Sequence, residues 1–318
     1  MNVYRNINDF KPPANPVVTT GTFDGVHAGH QQIIKRLNEA ARSINGESVV
    51  LTFHPHPRLV LYPDQHDLQL LTTPDEKIAL LERYGVKHLF IHPFTKEFSQ
   101  LSSAEFVKEI LVKGLHVRQL IIGYDHHFGH DREGGLKQLQ QLAPLQGFEL
   151  EEIPEQVINA FAVSSTRIRK ELQNGNIPEA NILLGHDYSI SGTVVKGKQL
   201  GRTLGFPTAN IEVNEPHKLI PPNGIYAVQV AMGNAAATLS GKRITIYNGA
   251  LSIGTRPTFD NGARSIEVNI FDVDDNLYDQ SLTIFFKHYL RKELKFESAE
   301  ALIEQMNQDK KRSIELLS

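Results

Sequence analysis

Apolar residues in the first half of the chain occur in short continuous runs separated by stretches of helical period. Continuous runs are typical of buried strands, and apolar residues three and four positions apart are typical of amphipathic helices. The predicted strands are Val17–Thr20, Ser48–Phe53, His88–His92 and Gln119–Gly123, and the clearest predicted helices are Pro74–Tyr84 and Ala104–Lys113. This alternation predicts a parallel sheet with helices on both faces.

The pattern changes near residue 185, after which short strands of alternating apolar and polar residues are separated by glycine, proline and asparagine turns. Such strands predict a small antiparallel barrel. They are Ser189–Val195, Gly224–Ala231, Arg243–Ile253, Ser265–Asp272 and Leu282–His288, followed by an amphipathic helix, Ser298–Leu317. Between the halves, Asn174–Tyr188 is predicted to be a brief hinge with a short helix after Pro178. We therefore expect domains at 1–184 and 185–318.

Two histidines, His27 and His30, stand where a predicted strand turns into a helix. The segment Pro16–His30 reads PVVTTGTFDGVHAGH, and its glycines allow close backbone approach. Free N–H groups and the helix dipole favour an anion at this position, so the histidines are candidates for binding phosphate. A helix cap and half of a metal site are the alternatives. A zinc site would need others of the 14 histidines, without recognisable spacing and without any cysteine.

Two further clusters in the first half also fit phosphate. Ser164, Ser165 and Thr166 are strong N-cap types, and the helix they begin carries Arg167 in its first turn, where a cation is unfavourable unless an anion compensates it. The alternative is an ordinary capped helix with solvated arginines. The second cluster is the loop Gly123–Gly134. In it Asp125 could accept from a nucleotide and Arg132 could pair with phosphate, unless it is simply a polar surface loop.

The second half offers one glycine-rich segment, GKQLGRTLGFPTANIEV at Gly197–Val213. Its glycines Gly197, Gly201 and Gly205 allow a loop to fold over phosphates, and Thr208 and Asn210 present neutral oxygens suited to magnesium. A glycine hairpin with satisfied polar side chains is the alternative. Neither a Walker loop nor the protein-kinase signatures occur, so phosphotransfer here needs another scaffold.

Phosphotransfer to an alcohol also needs a base or an orienting acceptor, and Glu267 is the leading candidate. It lies in SIEVNIFDV, where Ile266, Val268 and Ile270 face one side of a strand and Glu267 faces the other. A solvated surface carboxylate is the alternative.

Composition narrows the function classes. The chain has 318 residues, a formal net charge of −3 and no cysteine. This charge argues against nucleic acid as a partner, and the absence of cysteine excludes disulfides and thiol catalysis while fitting the cytoplasm. We see neither a signal peptide nor an apolar run that would span a membrane. An oligomer is possible but is not predicted.

Taken in order, the motifs resemble those of the bacterial bifunctional riboflavin kinase/FMN adenylyltransferases, also called FAD synthetases. GTFDGVHAGH resembles the HxGH signature of nucleotidyltransferases related to class I aminoacyl-tRNA synthetases. The resemblance extends over nearly the whole chain through TFHPHP, FGHDREG, SSTRIR, LGFPTAN, NGIYAV, YNGALSIGTRPTF, NLYDQSL and LRKELKF. It implies a Rossmann-like α/β HxGH nucleotidyltransferase domain followed by a small antiparallel β-barrel riboflavin kinase domain with a C-terminal helix.

The resemblance also implies residue roles in two reactions that use ATP and Mg²⁺. In the first domain His27 and His30 would stabilise charge on the α-phosphate of ATP while FMN attacks and FAD forms. Its nucleotide-binding residues would be Gly21, Thr22, Phe23, Asp125, Arg132, Ser164, Ser165, Thr166 and Arg167. In the second domain Glu267 would accept or orient the proton of the riboflavin 5′-hydroxyl, and Thr208 and Asn210 would bind Mg²⁺ beneath the loop of Gly197, Gly201 and Gly205. Arg291 matches a position near the flavin.

Departures from the family pattern and two competing functions remain open at this point. Tyr124, His126 and His127 surround Asp125 where other residue types are usual, and Asp279 replaces a usual glycine. One alternative is an adenylyltransferase or cytidylyltransferase of single activity whose second domain only binds or regulates. The other is an RNA-directed protein, against which the acidic balance and the lack of a KMSKS-like loop both count.

Overall fold

The computed structural model describes residues 1–64, 68–124, 128–130, 134–154, 163–197, 201, 204–241, 243–255, 264–273 and 275–318. The chain forms two compact units. The first comprises Met1–Leu68 and Leu80–Ser164, and the second comprises Gln69–Ala79 and Ser165–Ser318. The second unit therefore includes a segment that comes from within the first half of the sequence.

The first unit is built on a six-stranded sheet in which every neighbouring pair is parallel. Its strands are β1 Asn2–Tyr4, β2 Pro16–Thr20, β3 Glu47–His54, β4 His88–Pro93, β5 Gln119–Gly123 and β6 Glu149–Ile153, in the order β1-β4-β3-β2-β5-β6. The predicted parallel sheet is confirmed. The two edge strands, β1 and β6, are additions to the four predicted strands.

Helices cover the sheet on both faces, as predicted. The helices between residues 28 and 146 are α1 Ala28–Ser43, α2 Pro57–Leu61, α3 Pro74–Arg83, α4 Lys96–Ser99, α5 Ser103–Glu105 and α6 Leu136–Gln146, and α5 continues as a π-helix over Phe106–Gly114. The first residues of α3, up to Ala79, belong to the second unit. Helix α1 packs against β2, β3 and β5, and buries Ile34 and Leu37. Val18 and Leu51 of the sheet form a core with the π-helix and α6. In the described ranges no helix combines the length and apolar character that crossing a bilayer requires.

The second unit is a closed antiparallel barrel with helices before and after it. Its elements are α7 Ser165–Gln173, α8 Ile177–Leu184, β7 Ser189–Val195, β8 Ala209–Glu212, β9 Gly224–Met232, α9 Ala235–Leu239, β10 Ile246–Thr255, β11 Arg264–Ile270, β12 Ser281–Arg291 and α10 Ala299–Leu317. The strands close in the order β10-β11-β8-β7-β12-β9. The predicted barrel with a final helix is confirmed.

The barrel is filled by large side chains, and its outer surface carries the last helix. Tyr226 and Phe286 are fully buried, with their rings edge-to-face at 5.2 Å. Helix α10 packs against β9, β10 and β12. Helix α8 lies within the predicted hinge and ends at Gly185, whose φ of 71° allows the left-handed cap. The predicted domain boundary between residues 184 and 185 stays a prediction.

Candidate active sites

The first candidate site is the turn between β2 and α1, whose backbone is unusually restricted. Gly21 continues the sheet by donating its N–H to the Leu51 carbonyl at 3.0 Å. Phe23 and Val26 then adopt positive φ values of 47° and 40°, and Gly25 between them has φ 83°. A positive φ is strained for a bulky or β-branched residue, and such strain clusters at functional sites. The turn therefore holds the two histidines in place through a restricted and strained backbone conformation.

His27 caps helix α1 with its own side chain. The backbone N–H of His30 donates to Nδ1 of His27 at 3.3 Å, and the two imidazole rings stack with centroids 3.6 Å apart and an interplanar angle of 14°. Because Nδ1 of His27 accepts this bond, a neutral His27 carries its proton on Nε2. His27 is buried and His30 is half-buried. The sequence placed both histidines at a helix start, and the structure also stacks them.

The residues predicted to line the nucleotide pocket form a packed segment beside His30. The Phe23 ring is 2% exposed and lies 5.0 Å, between centroids, from the His30 ring. A Cβ added to Gly21 would come within 3.2 Å of the Phe23 ring, so glycine leaves room for that ring. The carbonyl of Thr22 accepts from the Thr52 hydroxyl at 3.2 Å. Gly21, Thr22 and Phe23 thus form one packed segment before the histidines.

The start of α7 carries the second predicted phosphate site. Ser164 and Thr166 are exposed there and Ser165 is half-buried. Arg167 forms an ion pair with Glu179 of α8 at 2.8 Å, so a protein carboxylate already compensates the charge that the sequence left to a bound anion. The nucleotide-binding roles of Ser164, Ser165, Thr166 and Arg167 stay predictions.

The third candidate site lies on the outside of the barrel, where β8 meets β11. Glu267 pairs directly with Asn210 in the antiparallel ladder, and Ile266, Val268 and Ile270 point into the core. The Thr208 hydroxyl donates to Oε2 of Glu267 at 3.4 Å. The structure thus brings together the predicted proton acceptor and the two predicted Mg²⁺ ligands, with Asn210 buried and the other two half-buried.

The glycine segment passes close to this cluster. A Cβ on Gly197 would overlap the side-chain amide of Asn210, and a Cβ on Gly201 would come within 3.2 Å of the Thr208 hydroxyl. Gly205 has φ 83° with open space around it. Gly197 and Gly201 are therefore required by close approach, and Gly205 by backbone conformation.

Comparison with known proteins relates this chain to one family. Two family models match the chain, FAD synthetase over residues 10–167 and riboflavin kinase over residues 184–317. The bifunctional riboflavin kinase/FMN adenylyltransferase of Listeria monocytogenes is 38% identical, with 93% of this chain and 90% of that protein aligned. The Bacillus subtilis protein described in the same words is 36% identical over 96% of this chain and 93% of its own length. The chain belongs to this bifunctional family.

The comparison with solved structures finds the same fold over nearly the whole length of this riboflavin kinase/FMN adenylyltransferase family member. A solved structure described as a macrolide-efflux protein from Streptococcus pneumoniae superposes with a TM-score of 0.84 at 31% identity, covering 98% of this chain and 97% of that one. The two family models also occur in the order predicted from the motifs. The predicted family, with its two joined activities, is confirmed.

Arg291, the predicted flavin-binding residue of the kinase half, is engaged with the last helix. Its guanidinium makes two hydrogen bonds to the Asp309 carboxylate, from Nε at 2.9 Å and from Nη2 at 2.6 Å. A third nitrogen, Nη1, donates to the Lys292 carbonyl at 2.9 Å. The Gln305 side chain donates to the same carboxylate at 3.0 Å. Arg291 therefore anchors α10, and its role toward flavin stays a prediction.

Two predicted residues of the FAD synthetase half, Asp125 and Arg132, lie outside the described residues. The described part of their loop is held to the sheet unit at both glycines. Phe128 and Gly134 exchange backbone hydrogen bonds at 3.0 and 2.9 Å, and a Cβ on Gly129 or Gly134 would come within 2.8 Å of Ser103.

Sequence reasoning gave no role to three polar residues, two of which contact predicted site residues and one of which contacts the residue before Thr208. They are Glu179 on Arg167, Asp309 on Arg291, and Asn269, whose side chain donates to the Pro207 carbonyl at 2.7 Å. Only Asn269 carried a usable signal, because strand alternation places it on the same face as Glu267.

Barrel-end residues near Gly224 form a polar cluster that includes Asn223 and Tyr226 of the NGIYAV motif. The Tyr226 hydroxyl donates to the Pro222 carbonyl at 2.5 Å, and burial raises the pKa of this phenol far above its usual range, so it remains a donor. Arg264 donates to the Ile220 carbonyl at 3.0 Å and to Asn223 at 3.2 Å. These bonds fix the loop that leads into β9.

Proposed function

We propose that the outer face of the barrel phosphorylates the 5′-hydroxyl of riboflavin, and that the turn before α1 serves adenylyl transfer to the resulting FMN. The first reaction converts riboflavin and ATP into FMN and ADP. The second converts FMN and ATP into FAD and pyrophosphate. The family carries both activities, and the observation that supports their placement is the convergence of Thr208, Asn210 and Glu267 under a close-packed glycine segment.

In the kinase site Glu267 accepts or orients the hydroxyl proton of riboflavin as the 5′-oxygen attacks the γ-phosphate. A carboxylate on a rigid strand suits this role, since the ladder to β8 and β10 fixes its backbone. Gly197, Gly201 and Gly205 let the loop backbone approach the phosphates. Positioning and charge stabilisation supply most of the rate enhancement in phosphoryl transfer.

The donors at this site suit Mg²⁺. A hydroxyl, an amide oxygen and a carboxylate are all hard oxygen ligands, and Mg²⁺ commonly takes only one or two protein carboxylates and completes its shell with phosphates and water. The described part of the chain forms no group of three or more His, Cys, Asp or Glu that would hold a metal by itself. Thr208 and Asn210 would hold the ion, which neutralises phosphate charge when bound.

In the adenylyl-transfer site His27 and His30 stabilise the charge that develops on the α-phosphate. A neutral His27 carries its proton on Nε2, and the buried, strained turn keeps its ring in place before substrate binds. Gly21, Thr22 and Phe23 line the nucleotide pocket. The ATP phosphates are held by Ser164, Ser165, Thr166 and Arg167, and Arg167 leaves its ion pair with Glu179 to bind phosphate. Further contacts to the nucleotide come from Asp125 and Arg132.

The remaining assignments follow from the same proposal. Residues 1–184 carry the adenylyltransferase and residues 185–318 the kinase, with Arg291 close to the flavin. ATP, riboflavin and FMN are the partners, nucleic acid is not one, and the reactions take place in the cytoplasm.

Site-specific loss of one activity at a time tests the proposal. The chain, its His27→Ala/His30→Ala variant and its Glu267→Gln variant are each incubated with riboflavin, ATP and Mg²⁺, and FMN and FAD are separated by chromatography. The histidine variant should accumulate FMN without FAD. The Glu267 variant should lose FMN formation and still convert supplied FMN to FAD. Loss of both activities in either variant, with the fold retained, contradicts the two-site assignment.

A further inference from the structure

Asn269 lies on the strand that carries Glu267 and reaches across to the neighbouring strand. The two residues share the outer face of β11, because the residues between and beside them are buried in the barrel. Nδ2 of Asn269 donates to the backbone carbonyl of Pro207 at 2.7 Å. This bond joins β11 to the residue just before Thr208.

Pro207 explains why a side chain makes this connection. The ladder between β8 and β11 pairs Asn210 with Glu267 and Ala209 with Val268, and it ends there. Proline has no N–H to donate, so it cannot continue a ladder of backbone hydrogen bonds. Beyond the end of the ladder, the Asn269 side chain donates to the Pro207 carbonyl and so adds one more hydrogen bond between β11 and the residue before Thr208.

The consequence falls on Thr208. The carbonyl that Asn269 holds belongs to the peptide group whose nitrogen is that of Thr208, so fixing it limits rotation of this peptide. Pro207 is exposed and Thr208 is half-buried, so core packing contributes little to their position. The Thr208 hydroxyl is thereby kept 3.4 Å from Oε2 of Glu267, on a residue two positions before Asn210.

We propose that Asn269 is a positioning residue of the kinase site, which holds the Pro207–Thr208 peptide so that the Thr208 hydroxyl and the Asn210 amide face the same Mg²⁺–nucleotide. This inference rests on the proposed function of Thr208 and Asn210. In this role Asn269 acts through the Pro207–Thr208 peptide, to whose carbonyl its Nδ2 donates.

Asn269→Ala and Asn269→His separate this role from a structural one. Histidine can place an N–H on Nδ1, the same number of bonds from the backbone as Nδ2 of asparagine. Riboflavin phosphorylation by the full chain is measured across Mg²⁺ concentrations. We expect Asn269→Ala to raise the Mg²⁺ concentration for half-maximal rate roughly three- to tenfold, the ratio that one lost hydrogen bond gives. Asn269→His should restore most of it, and the KM for riboflavin should change little.

Two readouts can overturn the inference. FAD formation from supplied FMN and the thermal midpoint should match those of the unsubstituted chain in both variants; if they fall together with the kinase, Asn269 is structural. An unchanged Mg²⁺ dependence in Asn269→Ala also refutes the inference. Thr208→Ala distinguishes failure of the proposed cation site from failure of the positioning role. If riboflavin phosphorylation by Thr208→Ala equals that of the unsubstituted chain, the proposed cation site itself is refuted. Loss in Thr208→Ala without an effect of Asn269→Ala refutes only the positioning role.

Discussion

His27 combines a structural task with its proposed chemical one, and substitution can separate them. Its Nδ1 caps α1, a task that asparagine performs well and alanine does not. We expect His27→Asn to keep the unfolding free energy of the chain near its original value while FAD formation is lost. His27→Ala should lose activity and also about 1 kcal/mol of stability. Urea unfolding together with a FAD assay measures both, and equal destabilisation of the two variants would exclude the cap.

At this scale the sequence predicted some contacts and missed others for a physical reason. Strand period placed Glu267 and Asn210 outward on two strands, and the structure makes these strands neighbours in a register that pairs the two residues. The partners of Arg167 and Arg291 come from other elements, Glu179 on α8 and Asp309 on α10. No local pattern encodes such a pairing, because it depends on how helices dock.

Elements with strong periodicity were predicted well, and the weak ones were missed. The strand at Gln119–Gly123 has the predicted bounds, and α10 begins one residue after the predicted start because Ser298 is its cap. Strand β6, with the sequence ELEEI, is an edge strand with only its last residue buried, so it lacks an apolar run. Strand β1 has three residues, too few for a pattern. Helix α6 contains Pro144, which argues against a helix when only sequence is read.

A largely buried ion pair joins the last helix, α10, to strand β12. Asp309 is 11% and Arg291 20% exposed at the side chain, so Asp309→Asn leaves a poorly solvated guanidinium without its anion. We expect a loss of about 2 kcal/mol, below the 3–5 kcal/mol of a fully buried pair, and faster proteolysis within α10. Arg312→Gln breaks the exposed pair with Glu315 on the same helix and should cost well under 1 kcal/mol. Equal effects of the two substitutions would contradict the anchoring role.

The segment Gln69–Ala79 lies in the first half of the sequence and belongs to the second unit. Leu70 forms a parallel bridge with Lys218, and the ammonium of Lys218 binds the Leu71 carbonyl at 2.7 Å and the Glu76 carboxylate at 2.5 Å. Lys218 and Glu76 are each 1% exposed at the side chain. The second unit is therefore larger than the stretch 185–318, a division that the change in sequence pattern near residue 185 did not indicate.

This pair gives a prediction at the scale of the molecule. Lys218→Met leaves a buried carboxylate whose Oε1 already lacks a hydrogen-bond partner among the described residues, and we expect a loss of about 3–5 kcal/mol. Adding Glu76→Gln removes the charge and keeps a side chain able to accept the Thr73 N–H in the capping box. The double variant should therefore be more stable than Lys218→Met in urea. A double variant no more stable than the single one would show that Glu76 is not charged in the folded chain.

The segment Gln69–Ala79 also limits where such a chain can be divided during evolution. A gene split at residue 185 would give a barrel without the Leu70 bridge to Lys218 and without the Glu76 carboxylate that pairs with the buried Lys218 ammonium. Recombination at residue 185 would join this chain's segment 69–79 to the barrel of a relative, whose residues are matched to that relative's own segment. The two activities are thus expected to be inherited as a single gene, with changes at residues 69–79 and 218 accompanying one another.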